Sequence, residues 1–226
     1  MKKFLTVALA GVLAASMLFT GCSKKAESKV PDKLIVGTNA EFPPFEYMND
    51  KKQPEGFDIA MIKEIGKRMG KKVEIKNMEF KSLIGAMESD SINAIIAGMT
   101  KTEKREKAVD FSDSYYTTNQ AIILKKDSKI TKLAQLDGKK IGVQEGTTGD
   151  LISSGDKFGD GKKAKVLVKG AKVKRFKKGV DAVMDLKNGS VDAVVIDELT
   201  ANEFVKKNAK KLKIVIDSAG SEYYCI

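Results

Sequence analysis

A chain of 226 residues has room for one large domain or two smaller lobes, each with a core of its own. With 42% hydrophobic and 31% charged residues it has the composition of a soluble globular protein, which excludes a disordered chain and a polytopic membrane protein. The formal charge of +11 comes mostly from lysines spread along the chain, as at Lys24-Lys25, Lys71-Lys72 and Lys177-Lys178. Such spacing reads as solvated faces and not as the basic stripe of a nucleic-acid binder, so no nucleic-acid partner is expected. Histidine is missing, which removes the commonest general base and metal ligand near neutral pH. Cys22 and Cys225 cannot make a zinc knuckle or a disulfide framework. No metal, no cofactor and no catalytic activity are expected.

Met1-Lys2-Lys3, the apolar run Phe4 to Phe19 and the following Thr20-Gly21-Cys22 have the layout of a secretory signal. The run is short for a bilayer span, the alternative reading. Leu18-Phe19-Thr20-Gly21-Cys22 resembles the lipobox of bacterial lipoproteins, which implies cleavage before Cys22 and lipidation of its thiol; Phe19 departs from the usual Leu. Residues 1–21 are thus read as a signal peptide and 22–32, polar and ending near Pro31, as a tether to the membrane. The protein is expected outside the cell or in the periplasm, held at the outer face of the cytoplasmic membrane.

Lys33 to Thr38 reads as a strand, Phe57 to Met69 as a helix ended by Gly70, and Val73 to Ile75 as the start of a second strand. Ser82 to Glu88 reads as a short helix and Ile92 to Ala97 as a buried strand. The pattern recurs: strand Lys140 to Val143, helix from Thr148, strand Lys165 to Val168, helix Val180 to Leu186, strand Val191 to Ile196. Met87 to Ile96 aligns without gaps on Leu186 to Val195. Two β-α-β lobes of one design are therefore expected, lobe 1 over 33–121 and lobe 2 over 122–216, with 217–226 starting a return towards lobe 1.

In open α/β sheets a ligand binds beyond the carboxyl ends of the strands. That rule selects Asn39–Phe45, Gly98–Thr102, Gln144–Thr148 and Asp197–Leu199. If Thr102 caps a helix, Arg105 falls in its first turn, where a cation is disfavoured unless an anion binds there; the alternative is a surface arginine paired with Glu103 or Glu106. Gly146-Thr147-Thr148-Gly149-Asp150 can grip the same anion or serve as an ordinary N-cap. Asp197 can meet a cation or cap the next helix. Phe42, Phe45 and Phe80 can form an aromatic wall or belong to the core. An anion socket facing a carboxylate suits a zwitterionic α-amino acid.

Gly37 to Glu46, Gly56-Phe57-Asp58-Ile59, Ala97 to Arg105, Val109 to Tyr116, Gly142 to Thr148 and Ala193 to Glu198 together resemble bacterial extracellular solute-binding proteins, family 3, the amino-acid receptors of ABC importers. Ala60 departs from the family signature, which has an acid there. The resemblance implies a two-lobed α/β fold of the periplasmic-binding-protein type (type II), hinged near Thr117–Leu124 and Ser221–Ile226, a monomer that docks on a membrane permease. It implies that Arg105 clamps the ligand α-carboxylate with Thr100 and Thr148, and Thr147 of the same turn is counted among the ligand-binding residues. It further implies that Asp197 and the Gly98 carbonyl hold the α-ammonium, and that Phe42 and Phe80 sandwich the aliphatic part. Asn39 stands where several relatives that bind basic side chains carry an acid, which leans towards an uncharged ligand such as glutamine. Cyclic-acid dehydratases on the same fold form the enzymatic alternative, with Glu41 or Glu145 as the acid; a sensor or adhesin is another. Family members continue past a segment like Ser221–Ile226 with helices that complete lobe 1, so a truncated frame or a fragment is expected, with Cys225 a buried apolar residue.

Overall fold

A computed structural model describes residues 32–155, 168–216 and 221–226. The expected signal segment, Cys22 and nearly all of the tether lie outside them. The first lobe opens with β1 (Lys33–Thr38), a small antiparallel meander of β2 (Glu41–Phe42), β3 (Glu46–Met48) and β4 (Pro54–Glu55), and helix α1 (Phe57–Arg68). It continues through β5 (Lys72–Asn77), a 3-10 turn at Phe80–Ser82, α2 (Leu83–Glu88), β6 (Ala94–Ile95) and the single turn α3 (Glu103–Glu106). Strands β5, β1 and β6 form a parallel sheet in that order. Helix α1 buries Ile59 and Ile62, one helical turn apart, and packs Gly66 tightly on Val73 of β5.

The chain crosses through β7 (Tyr116–Thr118) into β8 (Gln120–Lys125), and the second lobe follows. Its elements are a 3-10 turn at Leu133–Leu136, β9 (Lys140–Gln144), α4 (Thr148–Ser154), β10 (Lys172–Phe176), α5 (Gly179–Asn188), β11 (Ala193–Asp197), α6 (Glu198–Lys206) and β12 (Leu212–Ile216). The sheet order is β10-β9-β11-β8-β12, with β10, β9 and β11 parallel and β8 antiparallel to both of its neighbours. The last strand, β13 (Glu222–Tyr224), returns and pairs antiparallel with β7, so the two crossings lie side by side as one ribbon.

Two strands differ from the sequence reading. Residues 165–167 lie outside the described part and Val168 sits in a bend, where its buried side chain joins the core beside Ile141 and Ala193. The strand is instead Lys172–Phe176, an edge strand whose lysines face solvent and dilute its apolar signal. Only Ala94–Ile95 of the expected Ile92–Ala97 run is paired, although Ile92, Ile95, Ile96 and Ala97 are all buried.

The internal repeat is physical. Asn93 and Asp192 hold equivalent places in the aligned segments. Asn93 accepts from the Ile35 amide of β1 at 2.9 Å, and Asp192 accepts from the Lys140 amide of β9 at 2.8 Å. Each side chain thus ties a helix-to-strand turn to the neighbouring strand. Asp90 and Gly189, also equivalent, both take positive φ, 55° and 82°, to end the preceding helix. One apolar cluster runs from Phe42 and Phe45 of the first lobe through Tyr224 to Ala182, Val194 and Phe204 of the second, so the lobes are packed as one closed body. Cys225 directly follows β13 and is 2% exposed, its amide donating to the Met99 carbonyl at 3.0 Å.

Candidate functional site

The carboxyl ends of β1, β6, β9 and β11 converge on one pocket lined by Asn39, Phe42, Phe80, Ala97, Gly98, Thr100, Arg105, Gln144, Thr147, Thr148 and Asp197. All nine residues named from the sequence as ligand contacts are among them; Ala97 is added, and Gln144, which opens the selected loop Gln144–Thr148, lines the pocket as well. Phe45 belongs to the core, edge-on to Tyr116 and Tyr224 at 5.0 and 5.1 Å between ring centroids. The free cavity is only about 10 Å³, the room of one water, so an amino acid needs the lobes to part or a side chain to move.

Arg105 is buried. The Thr102 hydroxyl caps α3 by accepting from the Arg105 amide at 3.3 Å, which turns the guanidinium inwards and not towards Glu103 or Glu106. Glu106 pairs with Lys101 instead, at 2.8 Å. Arg105 Nη1 donates to the Thr100 carbonyl at 2.5 Å and Nη2 to the Gly146 carbonyl of the opposite lobe at 3.1 Å. The guanidinium carbon lies 5.3 Å from the centre of the Phe80 ring, so one face of that ring serves the cation. Burial pulls the Arg105 pKa down to about 10, against the opposing pull of the Glu222 and Asp197 charges, and the group stays charged at neutral pH.

On the second lobe Thr147 is the N-cap of α4, accepting from the Asp150 amide at 3.3 Å and donating to the Gln144 carbonyl at 2.8 Å. Asp150 accepts from the Gly146 amide at 3.1 Å and from Arg175 Nε at 2.9 Å, which fixes the turn. Asp197 precedes α6 without capping it: its side chain accepts from no helix amide, and its buried Oδ1 makes no well-formed hydrogen bond, though the Tyr224 and Gln120 side chains lie beside the carboxylate. Burial, and after it the charge of Glu222, pushes its pKa up to about 7.

Asn39 is spent within the protein. Its Nδ2 donates to the Met78 carbonyl at 2.8 Å, and its Oδ1 accepts from Gln144 Nε2 at 2.7 Å across the cleft. The residue sequence reasoning missed most clearly is Glu222, on β13. Its Oε2 accepts from the hydroxyls of both Thr100, at 2.8 Å, and Thr148, at 2.6 Å, one from each lobe. No local motif surrounds Glu222; only the pairing of β13 with β7 brings it here.

Gly98 takes φ +52°, and a Cβ there would stand 3.3 Å from the rings of Phe42 and Tyr224, which explains the glycine. Its amide donates to Asp58 Oδ2 at 2.8 Å, as does the Tyr115 hydroxyl at 2.8 Å. Behind them Glu46 is fully buried, and burial, then the neighbouring Asp58 charge, raises its pKa well above the carboxylate range. Glu46 Oε1 and Oε2 and Asp58 Oδ1 have no other partners, which a carboxyl proton held on Glu46 and shared with Asp58 accounts for. At the rim, three ion pairs cross between lobes: Lys81–Glu145 at 2.9 Å, Lys177–Glu79 at 2.6 Å and Lys178–Glu41 at 2.6 Å.

The model of bacterial extracellular solute-binding proteins, family 3, matches residues 34–222. The chain is 35% identical over 224 residues to the arginine-binding extracellular protein ArtP of Bacillus subtilis (strain 168), covering 98% of this chain and 83% of that one. It is 34% identical over 208 residues to the ABC transporter arginine-binding protein 1 of Escherichia coli (strain K12), covering 92% and 76%. The structure of an ancestral arginine-binding protein bound to arginine superposes with a TM-score of 0.77 at 42% identity, over 86% of this chain and 83% of that one. The two-lobed arrangement is thus that of amino-acid binding proteins, and the chain belongs to the bacterial extracellular solute-binding proteins, family 3.

Proposed function

We propose that this protein is the extracellular substrate-binding component of an ABC importer, which captures a polar amino acid between its lobes and delivers it to a membrane permease. One observation carries the reading: a buried guanidinium, Arg105, and a buried carboxylate, Asp197, whose Oδ1 makes no well-formed hydrogen bond, line the same pocket from opposite lobes. A zwitterion satisfies both, its α-carboxylate on Arg105 with the Thr100 and Thr148 hydroxyls and its α-ammonium on Asp197 with the Gly98 carbonyl. Thr147 holds the turn that presents Thr148, Phe42 and the outer face of Phe80 pack the aliphatic stem, and Asn39 holds Gln144 across the cleft.

Because the Asn39 amide is committed to Gln144 and Met78, it gives no ground for preferring glutamine. The names of the relatives make a basic amino acid, arginine first, the ligand to try. Glu41 and Glu145, the acids an enzymatic role would need, are held in rim ion pairs, which favours capture over catalysis. The reading keeps the protein monomeric and exported, with Cys22 lipidated and the segment after it a tether. Calorimetric titration with free amino acids tests it: micromolar or tighter binding of one of them is expected, and no binding to any of them ends the reading.

A further inference from the structure

We infer that Glu222 selects the ligand: its carboxylate, held at the edge of the pocket on two of the pocket's threonines, restricts binding to amino acids with a cationic side chain. The inference rests on the reading that this pocket takes a free amino acid. Glu222 Oε2 already receives the hydroxyls of Thr100 and Thr148, the donors an α-carboxylate would use beside Arg105. A ligand must therefore turn the Glu222 side chain aside, but it cannot move the residue away. Glu222 is in register with Thr118 and Tyr224 with Tyr116. Tyr224 is wholly buried between Phe45 and Tyr116, and the Cys225 amide and Tyr223 carbonyl are bonded to Met99 and Lys101. With its backbone pinned on both sides, Glu222 can swing only about its own side-chain torsions, and its carboxylate stays within side-chain reach of the pocket.

The charges then decide the ligand. Arg105 and Asp197 line the pocket, and Glu222, bonded to the lining Thr100 and Thr148, sets a second carboxylate at its edge. The α-carboxylate and α-ammonium of any amino acid match Arg105 and Asp197 and leave Glu222 over. A guanidinium or ammonium on the side chain pairs with it; a neutral side chain leaves a half-buried carboxylate without a partner; an acidic one repels it.

The test compares the full chain and its Glu222→Gln variant by calorimetry with arginine and with citrulline, the uncharged near-isostere of arginine. The wild type should prefer arginine, and the variant should lose that preference by about tenfold or more, since a close charge pair is removed for one ligand only. An arginine-to-citrulline affinity ratio equal in both proteins overturns the inference while leaving amino-acid capture intact. A wild type that binds neither ligand nor any other amino acid removes the underlying reading, and this one with it. Should the variant fail to fold, the wild type decides alone: citrulline bound as tightly as arginine overturns the inference.

Discussion

Gln144 and Asn39 meet across the cleft at 2.7 Å, Asn39 just past β1 and Gln144 at the end of β9, and both are buried. This amide pair joins the lobes at the pocket, and Arg105 joins them again at the Gly146 carbonyl. Closure thus uses groups that line the pocket, and anything that draws Arg105 or Asp197 towards a ligand acts on the same interface.

Arg105→Ala should weaken amino-acid binding by about 2–5 kcal/mol, because it leaves a desolvated α-carboxylate unpaired. Arg105→Lys should recover only part of this, since an ammonium cannot bond two carbonyls and a carboxylate as the planar fork does. Calorimetry of the three proteins with arginine checks both statements; equal affinities would detach Arg105 from the site.

Affinity should rise with pH from about 5.5 to 7 and then level off. Asp197 titrates near 7, and an α-ammonium beside it lowers that value on binding, so below pH 7 the complex forms with release of a proton. Titrations in two buffers of different ionisation enthalpy at pH 6 should show that release. Asp197→Asn should abolish the pH slope together with most of the affinity.

Glu46→Gln should stabilise the fold more at pH 8 than at pH 4. The folded-state pKa of Glu46 lies well above 4.5, so the folded protein holds a proton that the unfolded chain gives up. Stability associated with this group is complete below about pH 4.5 and declines as pH rises from there towards the folded value. Glutamine keeps the hydrogen bond and removes the titration, which should raise Tm at pH 8 by about 3 °C or more. Scanning calorimetry at the two pH values is the check.

The rim pairs Lys81–Glu145, Lys177–Glu79 and Lys178–Glu41 are partly exposed, so salt should loosen them. Small-angle scattering without ligand should show a larger radius of gyration at high salt, and Lys177→Gln with Lys178→Gln should show it already at low salt. Identical curves throughout would mean that the rim does not hold the lobes.

Much of this site could be read in advance because its residues follow apolar strands that announce themselves. Val36, Ile95, Val143 and Val195 are buried and bounded by glycine or polar turns, and the next residues fall at strand ends by topology alone. Asp197 was ambiguous, since local sequence cannot separate a helix cap from a ligand group; only the missing amide bond decides. Gln144 opens a loop that topology selects, but its role depends on Asn39, which lies far away in the chain. Glu222 depends on a strand pairing between distant segments, and no periodicity carries that information. The edge strand Lys172–Phe176 escapes the sequence pattern because three of its five side chains are charged and exposed.

The sealed position of Cys225 gives the molecule a gauge of its own breathing. A thiol 2% exposed, one residue past β13 and with its amide held on Met99, reacts when that segment lifts, and burial raises its pKa as well. With Cys22 replaced by serine, the alkylation rate of the remaining sulfur becomes a clock for excursions at the hinge, read without any added label. A bound amino acid that clamps the lobes should slow that clock.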